Sequence, residues 1–115
     1  MVIEARQNPR VEVRLSAEVE IGGKTFTATT RNLSIGGVCV EAHVDVTDGA
    51  ELKVGLFLVF DDIEDATRPP LEMRGRVAWS APGEGGSPTT MGIRFDSVSA
   101  PQMAGLTKFL KLIPT

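Results

Sequence analysis

The sequence predicts a mainly β fold: a six-stranded antiparallel barrel with a C-terminal α-helix and a flexible N-terminal arm at residues 1–10. Six segments have strand composition and are separated by turn-forming residues, whereas a helical period occurs only at the C-terminus. The 115 residues are 42% hydrophobic and 23% charged, which suits one domain over residues 1–115. Closure of the strands into a barrel is expected because it leaves no edge strand unpaired.

The first predicted strand covers residues 11–21, where apolar and polar side chains alternate without a break. Gly22 and Gly23 then predict a tight hairpin, because glycine readily adopts positive φ angles. The returning strand at residues 25–31 is rich in threonine, which favours β-structure. Four further segments combine β-branched and aromatic residues and extend the barrel to residue 95: 38–42, 52–60, 71–79 and 91–95.

Only the C-terminal segment has a helical period, which predicts a helix over residues 99–113. Ser99 and Gln102 match a capping box at its start. The apolar residues that define the helical face are Met103, Leu106, Leu110 and Ile113.

The charge of the chain excludes several classes of partner. A net charge of −3 argues against broad attraction to DNA, RNA or anionic lipid, for which a basic surface supplies most of the affinity. The longest apolar run, residues 54–60, is far shorter than the ~20 residues of a membrane-spanning helix. No signal-peptide pattern opens the chain. We therefore expect a cytoplasmic protein without membrane insertion.

The sequence contains no visible catalytic or metal-binding group. His43 is the only histidine, so no second histidine is available to complete a metal site. The acidic run at residues 61–65 lacks the glycine and the ligand spacing of a calcium loop. Cys39 lies between Val38 and Val40 and is interpreted as a small core residue. We therefore predict no enzymatic activity, no metal and no cofactor.

Two short polar segments remain as candidates for a binding site. In the first, Arg6 and Arg10 flank an Asn-Pro pair, and Pro9 disfavours a helix at the residue before it. The two arginines are therefore expected on an extended or turning arm. An arginine fork can bind a phosphate or pair with the O6 and N7 atoms of guanine.

The second segment, residues 32–37, reads NLSIGG. Asn32 and Ser34 are two residues apart at the end of a strand, so they are expected to project to the same side. Gly36 and Gly37 would allow a ligand to approach the backbone closely. A plain turn, in which Asn and Ser hydrogen-bond to their own backbone, is the open alternative for this segment.

Together, Arg6-x-x-x-Arg10 and Asn32-x-Ser34-x-x-Gly37 resemble the paired signature of the PilZ domain family, RxxxR and [D/N]xSxxG. The segments LEMRGRVAW and MGIRF also look like strands of that family. Ala5 and Gln7 depart from it, because family members often carry further arginines there. The resemblance implies a six-stranded barrel that binds cyclic di-GMP, and it assigns these site residues: Arg6, Arg10, Asn32, Ser34, Gly36 and Gly37.

The function implied by the resemblance is a cyclic di-GMP receptor that signals through a partner protein in trans, with the arm ordering around the nucleotide. A PilZ-type adaptor that binds only proteins, independently of any ligand, is the main alternative. A barrel that binds single-stranded nucleic acid is a third hypothesis. It is disfavoured by the acidic balance and by an aromatic content of five Phe, one Trp and no Tyr.

Overall fold

The computed structural model describes residues 10–58 and 70–112 of the chain. The predicted arm therefore lies outside the described residues except for Arg10. Within them the chain forms seven strands and one helix. The elements are β1 (Val11–Glu12), β2 (Ser16–Ile21), β3 (Lys24–Leu33), β4 (Gly37–Ala42), β5 (Glu51–Leu56), β6 (Leu71–Ala81), β7 (Thr89–Ser97) and α1 (Ala100–Leu112).

The strands form a closed antiparallel barrel. Six of them follow one another around it in the order β3-β2-β5-β6-β7-β4, and pairing of β3 with β4 closes the ring. The short β1 is an addition that pairs with the end of β3. The predicted six-stranded barrel with a C-terminal helix is confirmed, with one extra strand. The predicted strand at residues 52–60 extends too far, because β5 ends at Leu56 and residues 57–58 are not in a strand; residues 59–60 lie outside the described residues.

The prediction of one unbroken strand over residues 11–21 was wrong, because residues 13–15 separate β1 from β2. The side chain of Thr30 on β3 lies at this break and is fully buried. Its Oγ1 accepts a hydrogen bond from Leu15 N at 2.8 Å and donates one to Val13 O at 2.5 Å. The hydroxyl thus satisfies backbone groups at the point where the strand is interrupted.

The barrel encloses a single apolar core to which every strand from β2 to β7 contributes. Its largest fully buried side chains include Leu33, Leu56, Met73, Met91 and Leu106. The last of these belongs to α1, so the helix packs against the core of the barrel.

The predicted capping box of α1 is confirmed. Ser99 N donates to Gln102 Oε1 at 2.7 Å, and Gln102 N donates to Ser99 Oγ at 3.3 Å. The residues that α1 buries are Leu106 and Phe109. Met103 and Leu110, which the helical period also selected, are only half-buried. Phe109 was therefore missed, and Ile113 lies outside the described residues.

Candidate functional site

The candidate site is a line of side chains across five strands on the outside of the barrel. Strand register pairs Glu12 with Asn32, Asn32 with Cys39, Cys39 with Gly92, and Gly92 with Trp79. We call these five residues the outer row. The residues on either side of Cys39 and Gly92 in their strands belong to the core, so the row faces outward.

A β-bulge places Asn32 in the outer row. The register between β3 and β4 shifts between Thr30, which pairs with Val40, and Asn32, which pairs with Cys39. Arg31 is the extra residue. Strict alternation from the buried Thr30 would turn Asn32 inward, but the bulge turns it outward and leaves Leu33 fully buried.

A second bulge places Trp79 in the outer row. The register between β6 and β7 shifts between Val77, which pairs with Ile93, and Trp79, which pairs with Gly92. Met73 and Val77 are buried, and continued alternation would bury Trp79 with them. Instead, its side chain is 41% exposed. The row therefore carries a large aromatic surface at one end.

Gly92 allows Trp79 to lie against the barrel wall. A Cβ atom at Gly92 would lie 2.2 Å from Trp79 Nε1 and 2.6 Å from Trp79 Cε2. These distances are far below van der Waals contact, so no other amino acid fits there without moving the indole. The five-membered ring of Trp79 thus covers the backbone of Gly92.

The outer row borders an open depression of about 550 Å³, a size typical of small-molecule sites. Its lining residues are Glu12, Val13, Arg14, Arg31, Asn32, Cys39, Trp79 and Thr90. The depression is both polar and apolar, and it combines two arginines, an amide and an indole. Such a surface can bind an anionic ligand that also carries a flat aromatic ring.

Cys39 forms part of the surface of this depression. It is buried, as predicted, but it lies on the face of β4 opposite to the core residues Val38 and Val40. Burial raises the pKa of its thiol, while the nearby charges of Arg31 and Arg10 act against this rise. Arg10 immediately precedes β1, whose Glu12 belongs to the outer row.

Two arginines of the depression share one carboxylate. Arg14 Nη1 lies 3.0 Å from Glu41 Oε1, and Arg31 Nε lies 3.6 Å from the same oxygen. Glu41 is on the outer face of β4, two residues from Cys39. The cationic side of the depression is therefore partly neutralised from within the protein.

Ser34 lies one residue beyond the end of β3 and is buried in the turn that leads to β4. Its backbone N donates to Gly37 O at 2.9 Å, and its Oγ accepts from Gly36 N at 3.2 Å. Because the strand ends before Ser34, the alternation that predicted a shared side with Asn32 does not reach it. The hydroxyl of Ser34 bonds to the backbone of its own turn, as the alternative interpretation of this segment as a plain turn expects.

The two glycines of the turn contact β7. A Cβ atom at Gly37 would lie 2.3 Å from Ile93 O, so the strand pairing itself requires glycine there. Gly36 O accepts a hydrogen bond from Phe95 N at 3.0 Å. The glycine at residue 37 therefore has a structural explanation that is independent of a ligand.

The structure brings together only part of the predicted site. Asn32 lines the depression, and Arg10 immediately precedes β1, whose Glu12 also lines it. The turn of residues 34–37 does not line it, and Arg6 lies outside the described residues. Sequence reasoning missed Arg14, Arg31 and Trp79. A signal for the last was available, since it is the only tryptophan and occurs in a strand otherwise marked by alternation.

In residues 10–58 and 70–112, no group of three or more His, Cys, Asp or Glu side chains could hold a metal ion. Over the same residues, no helix is long and apolar enough to span a membrane.

The structure is similar to several solved structures, two of which are described as PilZ domains. The Bacillus subtilis inhibitor of motility MotI/DgrA matches with a TM-score of 0.76 and 16% identity, covering 95% of this chain and 51% of that chain. The PilZ domain of Escherichia coli YcgR, solved with c-di-GMP, matches with a TM-score of 0.72 and 12% identity, covering 95% and 92%. The PilZ domain of CeSA from a cellulose-synthesizing bacterium matches with a TM-score of 0.62 and 17% identity, covering 90% and 97%.

These likenesses, at 17% identity or less, show the fold. The chain spans about half the length of MotI/DgrA. A comparison with curated protein sequences finds no significant match. The family model of the PilZ domain, however, matches residues 4–112, which is nearly the whole chain and includes both signature segments. This protein therefore belongs to the PilZ domain family.

Proposed function

We propose that this chain is a cytoplasmic receptor domain for cyclic di-GMP, without enzymatic activity, that signals through a partner protein in trans. The observation that supports the proposal is the outer row, in which Asn32 and Trp79 line one open depression beside β1, the strand that Arg10 immediately precedes. The YcgR PilZ domain, which has the same fold, was solved with this nucleotide.

The chemistry of the depression suits this nucleotide. Cyclic di-GMP carries two phosphodiester charges and two guanine bases. Arginine forks can bind the phosphates or the O6 and N7 atoms of guanine. The Asn32 amide can donate to and accept from a base edge, and the exposed indole of Trp79 can stack on a base. Because the chain has a net charge of −3, attraction for an anion must come from such a local cluster.

Each predicted site residue has a part in this proposal. Arg10, with Arg6 on the preceding arm, would close over the phosphates, and Asn32 would contact a guanine. Ser34, Gly36 and Gly37 would act by holding the turn that fixes the end of β3 and the start of β4. Ligand binding by the arm would alter the surface presented to a partner.

Isothermal titration calorimetry of the wild-type protein with cyclic di-GMP tests the proposal, with GTP and a single-stranded oligonucleotide as competing ligands. Only cyclic di-GMP should bind tightly. Absence of binding would instead favour the ligand-independent PilZ adaptor, and binding of the oligonucleotide would favour the nucleic-acid barrel.

Two arginine variants then locate the site. Arg10→Ala should weaken binding by about 2–4 kcal/mol, because it removes a charge-assisted contact. Arg74→Ala is the matched control: it removes the same charge from an exposed position on β6, away from the depression, and should bind as wild type does. Equal affinities for both variants would contradict the proposed location.

A further inference from the structure

Arg31 lies on the same face as Asn32 because of the bulge in β3. Alternation from the buried Thr30 turns Arg31 outward, and the bulge then brings Asn32 to that face as well. It lines the depression, and its charge acts on Cys39 at the centre of the outer row. A guanidinium at this position lies beside any ligand that contacts both Asn32 and Trp79.

Glu41 holds this guanidinium in the absence of ligand. The distance from Arg31 Nε to Glu41 Oε1 is 3.6 Å, which is an ion pair without a short hydrogen bond. The same oxygen accepts a closer hydrogen bond from Arg14 Nη1, at 3.0 Å. Arg31 is therefore the less tightly held of the two arginines, and Glu41 would stay neutralised by Arg14 if Arg31 moved away.

From this arrangement we infer that Arg31 is a phosphate-binding residue of the nucleotide site and that Glu41 competes with the nucleotide for it. The inference rests on the proposed binding of cyclic di-GMP and adds to it an internal anion that lowers the affinity. A phosphodiester that enters the depression takes over Arg31, and Glu41 keeps Arg14 as its partner. When Arg31 moves from Glu41 to the phosphodiester, the Glu41 carboxylate still has Arg14 as an ion-pair partner.

The competition predicts that removal of the carboxylate charge strengthens binding. Glu41→Gln should tighten the affinity for cyclic di-GMP by about three- to tenfold, because the ligand no longer displaces an ion pair or meets a nearby negative charge. Arg31→Ala should weaken it by about tenfold, as expected for the loss of one charge-assisted contact. The affinity of the Arg31→Ala variant for cyclic di-GMP should also depend less steeply on salt concentration than that of the wild type.

Glu51→Gln is the matched control, because Glu51 pairs with Arg76 at 2.5 Å on another part of the barrel. It changes the net charge equally and should leave the affinity unchanged. The double variant Arg31→Ala/Glu41→Gln separates competition from general repulsion, since the gain from Glu41→Gln should largely disappear when Arg31 is absent. Circular dichroism of each variant establishes that it is folded.

The outcomes distinguish this inference from the proposed function. If wild-type protein binds cyclic di-GMP but Arg31→Ala binds equally well, Arg31 is not a ligand residue. If Glu41→Gln gives the same gain with and without Arg31, Glu41 acts only as a repulsive charge and the competition is overturned. If the wild-type protein does not bind the nucleotide at all, the proposed function fails first.

Discussion

At the scale of single residues, Gly92 and Trp79 form the most closely fitted pair of the candidate site. The indole occupies the space where a side chain at residue 92 would begin. Glycine is therefore needed here for close approach of a side chain from the neighbouring strand, rather than for a positive φ angle. The same contact fixes the aromatic surface that we propose for stacking on a guanine.

Gly92→Ala should displace the indole and weaken binding of cyclic di-GMP by about 1–3 kcal/mol, the usual contribution of one base–aromatic stack. Because Trp79 is the only tryptophan, its fluorescence emission reports this displacement directly in the ligand-free protein. Gly105→Ala is the control, since a Cβ atom there meets only Leu71 at an ordinary 3.6 Å. An unchanged emission spectrum in Gly92→Ala would contradict the close fit.

Cys39 should be a poorly reactive thiol, because burial raises its pKa and the thiolate is the reactive form. As the pH rises, the thiol of Cys39 therefore loses its proton in the unfolded chain before it does so in the folded protein. The stabilisation by the neutral thiol is therefore present below the pKa of the unfolded group, about 8.5, and is lost as the pH rises through the folded value. Cys39→Ala should make the free energy of unfolding less dependent on pH in this alkaline range, as measured by denaturant titration. Rapid labelling of the native thiol at pH 7 would contradict this assignment.

At the scale of secondary-structure elements, the site depends on interruptions of regular strands. Two bulges bring Asn32 and Trp79 onto the outer face, and the hydroxyl of Thr30 bridges the break between β1 and β2. The break keeps β1 beside the end of β3, so that Glu12 lies next to Asn32. Irregular positions thus determine which side chains meet at the depression.

Thr30→Val should reduce the free energy of unfolding by about 1–3 kcal/mol, because it retains the shape of the side chain but leaves buried backbone groups of Val13 and Leu15 without their partner. Urea denaturation measures the loss. Thr29→Val, at an exposed position of the same strand, should change stability by no more than about 0.5 kcal/mol. Equal effects of the two substitutions would show that the bridging hydroxyl contributes little.

At the scale of the whole molecule, a closed barrel carries the depression, and the predicted arm that contains Arg6 and Arg10 immediately precedes β1 in the sequence. The pairing of β3 with β4 closes the barrel and lies beneath the outer row. In the proposed function, the ligand would be held between this arm and the barrel.

Hydrogen exchange tests whether nucleotide binding orders the arm while the barrel stays unchanged. Amides of residues 6–10 should gain protection when cyclic di-GMP binds, whereas those of β2 should be protected in both states because β2 is paired on both sides. Arg10→Ala, at the same nucleotide concentration, provides the control for specific binding. Full protection of residues 6–10 before the nucleotide is added would contradict the proposal that the arm becomes ordered when the nucleotide binds.

The sequence alone was sufficient to predict the barrel, the helix and its capping box. These features depend on local rules: alternation of apolar residues, turn-forming glycines and the pairing of Ser99 with Gln102. The two signature segments were also sufficient to predict the family. Asn32 lines the depression, but the assignment of Arg6, Arg10, Asn32 and the turn residues to a nucleotide site stays a prediction.

Only the tertiary structure decided which side chains share the outer face. Alternation along β3 and β6 would have turned Asn32 and Trp79 inward, and the bulges that reverse this are set by pairing with β4 and β7. The gap between β1 and β2 is likewise bridged by Thr30, which lies fifteen residues away from Leu15 in the chain. A residue's own neighbours in sequence do not reveal such contacts, because a one-residue shift in register costs little locally and exchanges the two faces of a strand.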